Sequence, residues 1–280
     1  MDINKVIIVS DSASDIDAVK GISHASVPVK IITDYKEYVD DGTVDVEKMV
    51  DELKSYRGKS STACAGMTEW MEAFGDKEFV FCITVTSTLS GSYNAAVLAK
   101  QEYEATYPER HVYVIDSLSA GPEMKLIADK LSELVTENED MFTVVRKINE
   151  YRKNLDLVFS LESLQNLANN GRVSPAVAKI ATVLGMRVVG KASDQGDLQP
   201  VAKVRGEKKA VEELFKRMKE YGYIGGRVII DHCFNEEMAK NLRRSIKLHF
   251  PLADVKIALT RALCSFYAEK GGMLVGFETV

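Results

Sequence analysis

Residues 79–99 contain no charged side chain, and this segment limits most strongly what the chain can fold into. An apolar run at 79–85 leads into Ser-Thr-Leu-Ser-Gly-Ser-Tyr-Asn at 87–94, and small residues follow at 95–99. A membrane span would be most apolar in its middle, where this segment has hydroxyls, a glycine and an asparagine. The pattern therefore predicts a buried strand, a polar turn and a helix, which is the repeating unit of α/β proteins.

Ser90, Gly91 and Ser92 make this turn a candidate anion site. A helix that begins near Ser90 leaves its first backbone N–H groups without helical partners and carries the positive end of its dipole there. Glycine and small hydroxyl side chains let a ligand approach those groups closely. The turn favours a carboxylate or phosphate ligand; the alternative is that Ser90 or Ser92 only caps an ordinary crossover helix.

Composition limits the classes of protein that need to be considered. The 280 residues, of which 46% are hydrophobic, can bury a large core and favour two domains. The formal net charge of -5, with Lys and Arg spread along the chain, argues against nucleic-acid binding. The N-terminal residues lack the regions of a secretory signal, so we expect a cytoplasmic protein with no stable membrane insertion. The four cysteines form no C-x-x-C pair to suggest zinc or thioredoxin chemistry, so we expect buried free thiols. We also expect no metal site and no cofactor.

Other apolar runs in the first half also end in small polar residues. Strands predicted at 5–9, 27–32 and 111–115 alternate with helices, which favours a mainly parallel sheet flanked by helices. Ligands bind at the carboxyl ends of such strands. Asp11 and Asp15 follow the first strand, where we expect helix capping rather than phosphoryl transfer. Ser61 and Thr62 lie in a second hydroxyl cluster, which we expect to converge with residues 87–94 on one sheet edge.

The pattern changes near Asn154, which predicts an N-terminal domain at 1–154 and a C-terminal domain at 155–280. Strands predicted at 157–162, 183–189, 198–204, 227–232, 255–259 and 273–277 indicate a mixed α/β sheet in the second domain. The Asn-Gly pair before Arg172 is typical of a helix end. For Arg172 itself, the alternative is a solvated surface charge with no further role.

Several short motifs, taken in order, resemble the DegV family of fatty-acid-binding proteins over nearly the whole chain. Each motif is weak alone, and their order and spacing carry the resemblance. The matching segments are Asp-Ser-Ala-Ser-Asp at 11–15, Val-Pro-Val at 27–29 with Asp40 or Asp41, Ser-Thr at 61–62, Leu-Ser-Gly-Ser-Tyr at 89–93, Ile-Asp-Ser at 115–117, Ser-Leu-Glu at 160–162, and Asn-Gly-Arg-Val-Ser at 170–174.

The resemblance implies a two-domain α/β protein that holds a long-chain fatty acid, such as palmitate, between its domains. It implies that the carboxylate is bound at Ser61, Thr62, Ser90, Gly91 and Ser92, and that no residue of the chain is catalytic. It further implies a separate fatty acid kinase subunit as partner, with roles in acyl-phosphate formation, lipid transport or fatty acid metabolism. We expect Arg172, Arg205 and His232 as contacts for that partner or for phosphate, or alternatively as structural residues.

Two segments depart from the family pattern. The family's Gln-Pro after the hydroxyl pair is Ala63-Cys64 here, and its His-x-Gly-Pro-Gly segment is replaced at Tyr267 and the residues that follow. An enzyme of related fold is the alternative: a serine hydrolase using Ser90, or a relative of the dihydroxyacetone kinases. The hydrolase version lacks the G-x-S-x-G motif.

Overall fold

The computed structural model of the chain describes residues 1–178 and 185–279. Its strands are β1 (Val6–Asp11), β2 (Ser23–Val27), β3 (Lys30–Thr33), β4 (Glu37–Val39), β5 (Ser60–Ala63), β6 (Phe79–Thr84), β7 (His111–Asp116), β8 (Leu155–Leu161), β9 (Met186–Ala192), β10 (Leu198–Arg205), β11 (Val228–His232), β12 (Val255–Leu259) and β13 (Met273–Glu278). Residues 183 and 184, the start of one predicted strand, lie outside the described residues.

The α-helices are α1 (Val46–Ser55), α2 (Met67–Phe74), α3 (Ser92–Thr106), α4 (Pro122–Thr136), α5 (Met141–Arg152), α6 (Gln165–Asn169), α7 (Pro175–Ala178), α8 (Glu207–Glu220), α9 (Glu236–His249) and α10 (Ala262–Ala268). Two short 3-10 helices, Ile3–Lys5 and Ser12–Ser14, flank β1. Within the described ranges, no helix is both long and apolar enough to cross a membrane.

The first sheet is parallel throughout and has the strand order β2-β1-β6-β7. β1 is buried along its whole length, which fits a continuous apolar strand covered on both faces. The carboxyl ends of β1, β6 and β7 meet at one edge because the three strands run in the same direction. The polar loops that follow these strands are therefore neighbours, as the sequence predicted.

The single strand predicted at 27–32 is wrong, because two strands occupy this range. β2 ends at Val27 in the parallel sheet, and β3 begins at Lys30 in a separate antiparallel sheet with the order β4-β3-β5. Pro28, between them, has no N–H to donate to a ladder. The N–H of Val29 is bound by the Ser12 hydroxyl oxygen at 3.0 Å instead of by a neighbouring strand.

The second half forms a six-stranded mixed sheet with the order β10-β9-β8-β13-β11-β12. All of its neighbouring strands are antiparallel except β11 and β12. α8 and α9 cover one face through an apolar cluster that includes Leu214, Leu242 and Val275. The predicted mixed sheet is confirmed.

α4 packs between the two large sheets and gives them a shared core. Ile127 and Leu131 of this helix join Phe81 of the parallel sheet and Phe159 of the mixed sheet in one buried cluster. The first turn of α4 approaches β13 at Gly276, where an added Cβ would lie 2.7 Å from the backbone nitrogen of Glu123. Glycine is therefore required at this crossing.

Candidate functional site

A cavity of about 340 Å³ lies where residues from the two halves of the chain meet. Its volume is within the usual range for a site that holds a small molecule. Leu157, Phe159 and Leu161 line one wall because alternate residues of β8 point to the same face of the sheet. Leu274 of β13 and Leu263 of α10 extend this apolar surface. Most of the cavity wall offers no hydrogen bond to a ligand.

Four polar side chains in the wall come from four separate parts of the chain: Thr62, Ser90 and Tyr267 carry hydroxyls and Arg172 carries a guanidinium. Thr86, Ser119 and Asp197 also line the cavity. The oxygens of Thr62 and Tyr267 lie 2.7 Å apart. The guanidinium carbon of Arg172 is 6.0 Å from the centre of the Tyr267 ring, and its Nε donates to the Leu89 carbonyl at 3.1 Å. These contacts place Thr62, Tyr267 and Arg172 as neighbours, and Arg172 joins them to the loop that carries Ser90.

Ser90 and Gly91 lie directly before α3, which begins at Ser92. Gly91 is the residue before the first helical turn, and the Ser90 hydroxyl oxygen accepts the Ser92 N–H at 3.2 Å. The first turn of α3 carries no acidic side chain, so the positive end of its dipole has no anion of its own. This arrangement suits an anionic ligand.

Arg172 is oriented by the way that α6 ends. Gly171 adopts φ +73°, a left-handed conformation that favours glycine, and the Arg172 N–H then donates back to the Leu167 carbonyl at 2.8 Å. This is the helix end that the Asn-Gly pair predicted. The arginine it positions lies in the cavity wall rather than alone in solvent.

Burial raises the pKa of Tyr267, an effect that the bond to Thr62 and the charge of Arg172 partly offset. The phenol therefore keeps its proton at neutral pH and remains a hydrogen-bond donor. Hydroxyl donors, a guanidinium and a helix N-terminus together can bind a carboxylate at the polar end of this cavity.

The structure does not bring all of the predicted site residues to the cavity wall. Thr62, Ser90, Gly91 and Arg172 line it, whereas Ser61 is exposed and is not among the residues that line it. Ser92 is fully buried behind Ser90. Arg205 is exposed at the end of β10.

His232 is buried at the end of β11, where its Nδ1 accepts the Asn235 N–H at 3.1 Å and burial lowers its pKa. It is not among the residues that line the described cavity. The hydrogen bonds of the Ser90 side chain within the described part of the chain go to Ser92 and to no histidine.

Two expectations about individual residues were wrong. All four cysteines are free, but Cys64 is exposed and lies at the cavity wall beside Gly91 instead of in the core. Asp11 precedes a 3-10 helix without capping it through its side chain. Its carboxylate instead accepts the Val85 N–H at 2.9 Å, across the edge of the parallel sheet.

Tyr267 is one of the polar cavity residues that were not predicted from the sequence. The signal was present, because Tyr267 begins the segment that replaces the histidine-containing motif expected from the resemblance. Within the described ranges, no group of three or more His, Cys, Asp or Glu side chains is arranged to hold a metal ion.

Together the fold and the site define an α/β protein with a largely apolar cavity between its two large sheets and with hydroxyls and a guanidinium in the cavity wall. The profile of the DegV family, described as uncharacterised proteins, matches residues 5–279. A DegV domain-containing protein of Streptococcus pneumoniae is 39% identical over 253 residues, which cover 90% of each chain. The chain therefore belongs to the DegV family, which confirms the resemblance seen in its motifs.

Two solved structures are closely similar to this chain. A DegV family protein from Eubacterium eligens, loaded with heptadecanoic acid, is 40% identical with a TM-score of 0.96, over 98% of this chain and 100% of that one. The Fatty Acid Kinase (Fak) B3 protein of Streptococcus pneumoniae, loaded with linoleic acid, is 36% identical with a TM-score of 0.96, over 99% and 100% of the two chains.

Proposed function

We propose that this protein binds one long-chain fatty acid, with its tail along the apolar wall of the cavity and its carboxylate at the polar end. The observation that carries the proposal is a largely apolar cavity whose wall contains Ser90, Thr62, Tyr267 and Arg172. The two similar proteins that were solved with heptadecanoic and linoleic acid support it.

The two ends of the ligand contribute differently. Each methylene removed from water contributes ~0.8 kcal/mol, so the tail supplies most of the affinity. The carboxylate is a charge that must be paired when it leaves water, and hydrogen bonds to a charged group contribute ~1.5–3 kcal/mol each. Arg172 supplies the opposite charge, so we assign it to the carboxylate site rather than to a contact outside the cavity.

Lipid extraction and mass spectrometry of protein expressed in bacteria test this proposal. We expect about one long-chain fatty acid per chain to co-purify, and delipidated protein to bind palmitate saturably. Protein that carries no fatty acid and does not bind palmitate, oleate or linoleate after delipidation would contradict the proposal.

We also propose that the bound acid is presented to a separate kinase, which phosphorylates the carboxylate. Cys64 and Gly91 line the cavity and are exposed, so the polar end lies near the protein surface where a partner can reach it. The chain itself needs no catalytic residue for this role. The name of the similar Fak B3 protein supports the proposal.

The kinase role is tested by incubating the loaded protein with ATP and a bacterial fatty acid kinase and measuring acyl phosphate. Arg205 is exposed and away from the cavity wall, so Arg205→Ala should leave palmitate affinity within twofold of wild type. If Arg205 contacts the partner, the variant should form acyl phosphate more slowly. Loaded protein that is never phosphorylated would contradict the kinase role and leave the binding role intact.

A further inference from the structure

Helix α10 supplies one strip of the cavity wall. Four of its residues line the cavity, and they share one face of the helix because positions three or four apart are neighbours there: Leu263, Cys264, Tyr267 and Ala268. A helix of seven residues is too short to be stable without tertiary contacts. The position of the Tyr267 hydroxyl therefore depends on the contacts that hold this helix.

The two ends of α10 are held by different halves of the chain. Near its C-terminal end, the Asn166 side-chain amide donates to the Phe266 carbonyl at 2.8 Å. The Ser163 hydroxyl donates to the carboxylate of Glu269, the residue after the helix, at 2.7 Å. Both of these donors follow β8 in the second half. At its other end, the helix is joined to the first half through Arg261, the residue directly before it.

Arg261 binds residues that lie at least 221 positions earlier in the chain. Its backbone N–H donates to Asp15 Oδ1 at 2.8 Å. Its guanidinium donates through Nη1 to the Ile16 carbonyl at 2.9 Å and through Nη2 to the Asp40 carbonyl at 2.8 Å. Because a guanidinium is planar and rigid, bonds to two fixed carbonyls define both its position and its orientation. The side chain is only 12% exposed, so water competes little for these bonds.

Asp40 also holds the first turn of α10 directly. Its Oδ2 accepts the Leu263 N–H at 3.0 Å, and its Oδ1 accepts the Ala262 N–H at 3.4 Å. The same Oδ1 lies 3.4 Å from Arg261 Nε, so the buried carboxylate also pairs with the guanidinium. A buried ion pair contributes little net stability, because both charges lose their water. Stability alone therefore does not explain why the helix begins on this pair.

The small antiparallel sheet β4-β3-β5 contacts α10 at two points. Asp40 directly follows β4 and holds the first turn of the helix. Thr62 lies in β5, and its hydroxyl oxygen is 2.7 Å from the Tyr267 oxygen. β3 pairs with both β4 and β5, so the sheet fixes the distance between the two contacts. A shift of the helix start on Asp40 would therefore move the phenol away from Thr62.

We propose that Arg261 is a positioning residue: it fixes the start of α10 on Asp15 and Asp40, and so places the Tyr267 hydroxyl beside Thr62, where it binds the fatty-acid carboxylate. The inference rests on the proposed function, in which Tyr267 contacts the ligand. Arg261 is not among the residues that line the described cavity, so it acts on the ligand through the helix.

The test is a double-mutant cycle that combines Arg261→Lys with Tyr267→Phe and measures the Kd of delipidated protein for palmitate by calorimetric titration. Lysine keeps the positive charge, but its single nitrogen lacks the planar fork that holds the Ile16 and Asp40 carbonyls together. Arg261→Lys should raise Kd roughly three- to tenfold in the wild-type background. In the Tyr267→Phe background it should change Kd by less than about twofold, because the hydroxyl that it positions is gone.

Arg227→Lys is the matched control. Arg227 is also a mostly buried arginine, whose Nε donates to Glu278 at 2.8 Å and whose Nη2 donates to the Tyr151 hydroxyl at 3.1 Å. It does not line the described cavity and does not contact α10 through these bonds. Both arginine substitutions should lower Tm, but Arg227→Lys should leave palmitate Kd within twofold of wild type. A loss of stability alone does not change the Kd of the protein that remains folded.

The outcomes separate this inference from the function on which it rests. A Kd for Arg261→Lys within twofold of wild type, or the same rise in Kd in both backgrounds, would overturn the positioning role. If Tyr267→Phe leaves Kd unchanged while wild type binds palmitate, the positioning role also fails and fatty-acid binding stands. If wild type binds no fatty acid after delipidation, the proposed function itself fails. If Arg261→Lys does not fold, Asp40→Asn, which keeps one acceptor oxygen for the Leu263 N–H, is measured in both backgrounds and judged in the same way.

Discussion

Replacing Ser90 with alanine separates a ligand-binding role from a purely structural one. The Ser90 hydroxyl accepts the Ser92 N–H at the start of α3 and faces the cavity. Losing the first contact should cost ~1 kcal/mol of stability, about what a helix cap contributes. Losing a hydrogen bond to a carboxylate should cost ~1.5–3 kcal/mol of binding free energy. At ~1.4 kcal/mol for each tenfold change, palmitate Kd should rise roughly 10- to 150-fold.

The assay pairs calorimetric titration of delipidated protein with thermal unfolding in the absence of ligand. We expect Tm of Ser90→Ala to fall by about 2–4 °C. Ser87→Ala is the matched control, because Ser87 is exposed in the same loop and does not line the cavity. It should change neither quantity. A Ser90→Ala variant with a lower Tm and unchanged Kd would show that Ser90 acts only as a cap, and would refute the carboxylate assignment.

Three further substitutions test the surrounding structure. Tyr267→Phe removes a hydroxyl that lies 2.7 Å from the Thr62 oxygen in the cavity wall, so the Kd for palmitate should rise about tenfold or more. A Kd within twofold of wild type would contradict a role for the phenol in binding. Gly190→Ala would place a methyl carbon 2.2 Å from Phe159 Cζ, so the substitution should cost ~1–3 kcal/mol of stability. It should also weaken palmitate binding, because Phe159 lines the cavity. An unchanged Tm would be inconsistent with this packing. Burial raises the pKa of Glu123 to about 8, so ionisation of this side chain in the folded state costs stability as pH rises from about 4.5 to 8. The unfolding free energy of Glu123→Gln minus that of wild type should therefore be larger by ~5 kcal/mol at pH 9 than at pH 4. Urea unfolding that gave the same difference at both pH values would refute this.

Much of the fold followed from local pattern. The uncharged segment at 79–99 predicted a strand, a turn and a helix, and β6 and α3 occupy those places. Its turn also supplied three cavity residues, Leu89, Ser90 and Gly91, of which Ser90 and Gly91 were predicted as site residues. Such features are set by the side-chain period and by short-range hydrogen bonds, so a single sequence can specify them. The domain boundary near Asn154 stays a prediction.

Features that depend on contacts distant in sequence could not be obtained in this way. Nothing near Tyr267 indicates that its hydroxyl meets Thr62, because the two residues are 205 positions apart. The partner of Asp11 is 74 positions away and depends on the register between β1 and β6. Pro28 could have shown that residues 27–32 do not form one strand, since proline interrupts a ladder. Which sheet each fragment joins depends on the tertiary fold.

The loop at residues 86–91 connects ligand binding to the contact between the two halves of the chain. Its residues are held from the second half by Arg172, which donates to the Leu89 carbonyl, and by the Gln195 carbonyl, which accepts the Thr88 hydroxyl at 2.6 Å. Gly196 packs so closely on this loop that an added Cβ would lie 2.0 Å from the Thr86 hydroxyl oxygen. A carboxylate bound between Ser90 and Arg172 would add a further link across the same boundary. Because a ligand stabilises the state to which it binds, the bound acid should hold the two halves together at the surface that a kinase would have to reach.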